Sequence, residues 1–155
     1  MRTIFKIAKT ELRDLFYSPI AWLILIIFTF QTGMLFSGTI SEIVPLGGKG
    51  MNLTLAIFGG QRGLFVAVLS YLYLYIPLLT MGLMSRELGS GSIKLLYSSP
   101  ITNAQIILGK YCAMLVYGLI LVGVLLVYAI YGICTIENVD IPVILAGLLG
   151  VYLLL

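Results

Sequence analysis

Residues 111–134 read YCAMLVYGLILVGVLLVYAIYGIC, a stretch without a single charged side chain. At about 1.5 Å per residue, a helix of that length exceeds the roughly 30 Å hydrocarbon core of a bilayer. Two further runs of the same kind lie upstream, at 20–36 and 64–84, also free of charge. Each is close to or longer than roughly 25 Å as a helix, enough to cross with modest tilt or thinning. A fourth apolar run starts at Ile141 and is still under way at Leu155, so the expectation is a single transmembrane domain over 1–155 whose fourth span is cut short. Residues 1–155 alone are accordingly expected to give no stable transporter, because the unfinished span lacks helices to pack against.

Composition agrees. Hydrophobic residues make up 61% of the 155 positions and charged ones 10%, against about 25% charged in soluble domains. A water-soluble domain of this size could not cover that much apolar surface. Lipid is the implied solvent, and the implied fold class is all-α: a polytopic membrane helix bundle. The net charge of +3 is small and scattered, which excludes a nucleic-acid binder. With no His and two Cys, the chain has almost nothing from which to build a side-chain metal site or a Ser/His/Asp centre. Cys112 and Cys134 stand about 33 Å apart on one expected helix, too far to bridge, and read as helix-packing residues. Gly109-Lys110 fails as a phosphate-binding loop, since Ala104 and Tyr111 occupy the positions of the first Gly and the hydroxyl. The reading is therefore non-enzymatic, with no catalytic residue, metal or cofactor. The spans carry no Asp, Glu, Lys or Arg, which argues against a self-powered pump. Tyr71, Tyr73 and Tyr75 precede Pro77 in the second run and read as belt or packing residues rather than a cargo path.

Orientation follows from the basic residues. Arg2, Lys6, Lys9 and Arg13 precede the first run, and Arg86, Lys94 and Lys110 lie between the second and third; only Lys49 and Arg62 fall on the other side. The positive-inside rule puts the N-terminus and the 85–110 loop in the cytoplasm and 37–63 outside. Within the outer segment, Met51–Phe58 is apolar enough to touch the bilayer as a short helix. The first seventeen residues form an amphipathic helix. Arg2, Lys6, Lys9 and Arg13 fall within about 60° of one another on a helical wheel. Ile4, Phe5, Ala8, Leu12, Leu15 and Phe16 fill the neighbouring arc, and Ile7 is the one clear exception. Such a helix suits the membrane surface, where its basic side chains meet anionic headgroups; a plain basic flank is the simpler alternative. Ser18-Pro19 breaks it before the first span.

The loop carries the most specific signal. Ser85-Arg-Glu-Leu-Gly-Ser-Gly-Ser-Ile-Lys-Leu-Leu-Tyr-Ser-Ser-Pro-Ile101 reads as a span end, a turn at Gly89 and Gly91, and a short apolar surface of Ile93, Leu95 and Leu96. Thr102 and Gln105 form a capping box that starts a helix running unbroken from Asn103 into the third span. Glu87, the Gly-Ser-Ile-Lys-Leu-Leu run, Pro100-Ile-Thr and the later Gly109-Lys110 resemble ABC-2 type transporter permeases. Pro77-Leu-Leu-Thr-Met81 is similar to their gliding-motility-associated subgroup. The resemblance implies a permease subunit of an ATP-driven exporter in the bacterial inner membrane. It implies a cytoplasmic ABC ATPase as one partner and a second permease half, identical or not, as another. It places Glu87, Gly91, Ser92, Ile93, Leu95, Leu96 and Pro100 in the coupling loop, with Lys94 where an acidic residue is frequent and Ser92 where Thr is usual. A non-transporting membrane anchor is the competing reading.

Overall fold

The computed structural model describes residues 2–43, 52–61, 63–90, 103–136 and 139–155, and at positions 2, 3, 82–90 and 103 the helix backbone only. Among the described residues there are five α-helices and one π-helical turn: α1 (Arg2–Tyr17), α2 (Pro19–Ile43), the turn (Leu55–Gly59), α3 (Leu64–Ser90), α4 (Asn103–Thr135) and α5 (Ile141–Leu154). No strand occurs among the described residues. Pro19–Ile43, Leu55–Met81 and Ala104–Thr135 are long and apolar enough to cross a membrane. The chain is an all-α polytopic bundle.

The break at Ser18-Pro19 falls where the sequence puts it. Ser18 N–H donates to the Leu15 carbonyl (3.1 Å), closing α1. The Ser18 hydroxyl then accepts from Ile20 N–H (3.4 Å) at the start of α2, satisfying one of the amides a helix start leaves free. Boundaries and placements differ from the sequence reading in three ways. First, α3 continues through the expected turn residue Gly89 to Ser90, and α2 continues to Ile43 rather than ending near Phe36. Its polar residues cost little there, because Thr39 donates to the Leu35 carbonyl (2.8 Å) and Ser41 to that of Gly38 (2.8 Å), while Ile40 and Ile43 pack on the core. Second, the segment around Met51–Phe58 turns only part of itself outward, with Leu55 49% exposed. Thr54, Ile57 and Phe58 are buried, and Phe58 is wedged between Phe36 and Phe65, with ring centroids at 6.0 and 5.8 Å. Third, Cys134 is exposed rather than packed, whereas Cys112 is half-buried.

In lipid, apolar burial gives helices little reason to associate, so close packing and interhelical hydrogen bonds must do it. Both are visible. α1 and α2 follow α4 in the same direction. Ile7 lies over Gly109, Phe16 and Ala21 meet Tyr117, and Thr29 meets Tyr128. Tyr117 donates to the Ala21 carbonyl (2.8 Å), Tyr128 to that of Thr29 (3.1 Å), and Tyr75 on α3 to the Gln31 side chain. Of the three tyrosines before Pro77, Tyr75 is thus core while Tyr73 is 73% exposed. α5 returns antiparallel along α4. It is joined at its start by the Asp140 N–H donating to Thr54 Oγ1 (3.2 Å) and ends beside Gly118. Outward positions such as Phe30, Val127 and Leu145 stay apolar and exposed, as a lipid-facing surface requires.

Phe58 fits because Gly132 has no side chain: a Cβ there would stand 2.6 Å from the ring. Gly132→Ala is expected to destabilise the full-length protein by about 1–3 kcal/mol, as overpacking does. Adding Phe58→Leu should recover part of that loss in thermal denaturation. An unchanged melting temperature for Gly132→Ala would remove the wedge as a packing element.

Candidate functional site

At one end of the bundle α1 packs along the first turns of α4, and the sequence places its candidate residues on α1, at the end of α3 and in the loop that leads into α4. α4 runs without interruption from Asn103 to Thr135, so the helix that leaves the 85–110 loop is the same one that crosses the bundle. Its first turns do not stand alone, because α1 packs along them. Gly109 makes the approach possible: a Cβ at that position would come within 2.5 Å of Ile7 Cγ2. Beside it, Lys110 Nζ donates to Glu11 Oε1 at 2.9 Å, each side chain 21% exposed. Leu15 is fully buried one turn on, and the Phe16 ring leans on Tyr117 at 6.1 Å. The Phe16 carbonyl, near the end of α1, accepts the indole N–H of Trp22 (2.9 Å).

This arrangement divides α1 into three faces. Ile4, Ile7, Glu11 and Leu15 lie on the α4 side and are buried or half-buried. Lys6, Lys9 and Arg13 are exposed together on another side, and Phe5 (77% exposed) lies between. Ile7, which disobeys a two-face reading, is therefore a packing residue. Sequence reasoning missed the Glu11–Lys110 pair. The two residues are 99 positions apart, and the one available signal was the misfit of Ile7 itself.

Of the sequence-derived loop residues, Glu87 belongs to the last turns of α3. Gly91, Ser92, Ile93, Lys94, Leu95, Leu96 and Pro100 lie outside the described residues, as does Thr102 of the capping box. On the basic face, the side chain of Arg2 is likewise outside them.

A family model described as ABC-2 family transporter protein matches residues 5–154. The chain belongs to that family. The match takes in α1 from Phe5, the whole 85–110 loop and α5. No curated protein and no solved structure compared with the chain matches it. As an ABC-2 family member the chain is a multi-pass membrane component, the permease part of an ABC transporter, and the family as a whole works with an ABC ATPase.

Proposed function

We propose that this permease is one half of an ATP-driven exporter, and that its 85–110 loop takes up the movement of a separate cytoplasmic ATPase. Ile93, Leu95 and Leu96 are the apolar anchors, Glu87 and Lys94 set charge complementarity at the rim, and Gly91, Ser92 and Pro100 shape the turn. A short apolar helix seated by a few anchors is a common recognition mode. The observation that carries the reading is the continuity of α4. At about 1.5 Å per residue its 33 residues form a rod of about 50 Å leading from the loop to the far end of the bundle. A second permease half, identical or not, completes the transporter. Lys6, Lys9 and Arg13, with Arg2, rest against anionic lipid headgroups. Co-purification tests the reading: the full-length protein should retain a cognate ATPase and stimulate its ATP turnover. A mere anchor would retain the ATPase and leave its turnover and export unchanged.

The same reading sets the topology, with the N-terminus and 85–110 in the bacterial cytoplasm. In a background lacking Cys112 and Cys134, Ser90→Cys should react with a membrane-impermeant thiol reagent only after the cells are permeabilised. Labelling of intact cells at that position would invert the assignment.

A further inference from the structure

At the elbow between α1 and α2 a hollow of about 490 Å³ is lined by Arg13, Asp14, Tyr17, Ser18 and Pro19. A second hollow of about 320 Å³ is lined by Lys9, Thr10, Leu12, Arg13 and Phe16. Arg13 borders both, so a polar compartment and one with an apolar side (Leu12, Phe16) meet at one guanidinium. Their depth is marked by neighbouring aromatics. Tyr17 and Trp22 are both exposed, Trp22 is pinned by its bond to the Phe16 carbonyl, and α2 begins at Pro19. Tyr and Trp so placed at the start of a span sit at headgroup level.

We propose that this elbow is a binding site for the phosphodiester of an anionic phospholipid, with Arg13 on the phosphate and the lipid's upper chain along Leu12 and Phe16. Guanidinium offers paired N–H donors that match two phosphate oxygens, and the Tyr17 hydroxyl adds a donor. Charge selects the ligand. Asp14 lines the polar hollow, with its Oδ1 3.9 Å from Arg13 Nε, and offsets one positive charge. With Lys9 the two hollows carry a net single positive charge, which suits a phosphodiester monoanion better than a free phosphate approaching two negative charges. The proposal rests on the headgroup reading of the basic face and narrows it to one position.

Trp22, the sequence's one tryptophan, is the reporter. The full-length protein is placed in phosphatidylcholine vesicles containing a small fraction of brominated phosphatidylglycerol or brominated phosphatidylcholine, and quenching of Trp22 is measured. Phosphatidylglycerol should quench with about fivefold preference, the value of one cation near the surface. Arg13→Gln should abolish the preference. Lys6→Gln, an equal loss of charge on the same helix but outside both hollows, should leave it, and millimolar inorganic phosphate should not displace the lipid. Equal loss in both variants would overturn the site and leave a diffuse basic surface. No loss in either would overturn both the site and the headgroup reading. Displacement by inorganic phosphate would overturn the lipid assignment.

Discussion

Leu96→Asp is expected to strip the permease of its ATPase while leaving its level in the membrane unchanged. Leu96 belongs to an apolar cluster of the 85–110 loop, Ile93-Lys-Leu-Leu96, between Gly91 and Pro100. An apolar anchor seated in a partner's groove is desolvated on docking, and an Asp there would be buried without a partner. That costs about 2–4 kcal/mol, or about 30- to 1000-fold in affinity. Insertion should survive, because the substitution lies outside the three candidate spans and adds no charge to any of them. Pull-down of the ATPase with the full-length variant, against membrane levels by immunoblot, separates the two effects. Normal ATPase binding and normal transport would take this loop out of the mechanism.

Much of this architecture is legible because lipid imposes it. A chain that must satisfy every backbone amide within its own helices, and that lacks charge over more than twenty positions at a time, can do little but span. The break at Ser18-Pro19 follows from local chemistry, and no proline interrupts the helix from Asn103 to Thr135. Placements that depend on distant partners were not legible. Ser37–Ile43 reads as loop because of its hydroxyls and Gly38, yet each of Thr39 and Ser41 satisfies its hydroxyl on its own helix. The residues around Phe58 look lipid-facing because they are apolar, and only Gly132, far along the chain, provides the notch that receives the ring. Tyr75 reads as a belt or packing residue, whereas it, Tyr117 and Tyr128 each tie their helix to α2 through the hydroxyl. Helical periodicity records which face a residue occupies, not which helix will meet it.

The Glu11–Lys110 pair is the sharpest instance, and its removal should be asymmetric. Lys110→Met would leave the Glu11 carboxylate, 21% exposed, facing a thioether across a helix contact too close to admit much solvent. Breaking a fully buried pair from one side costs about 3–5 kcal/mol; residual exposure lowers the expectation here to about 2–3. Glu11→Gln should cost less, because an amide oxygen can still accept from the ammonium. Glu11→Leu combined with Lys110→Met should return close to the wild-type melting temperature, since two apolar groups of similar size replace a pair whose desolvation cost offsets most of its attraction. Thermal denaturation of the wild type, Glu11→Leu, Lys110→Met and the double variant, all full-length, gives the cycle, with a coupling energy of about 2 kcal/mol or more expected between contacting residues. Additive losses would mean that the two side chains act independently and that α1 is held to α4 by Ile7, Gly109 and Leu15 alone. Recovery in the double variant would assign the pair to the specificity of the α1–α4 register more than to its strength.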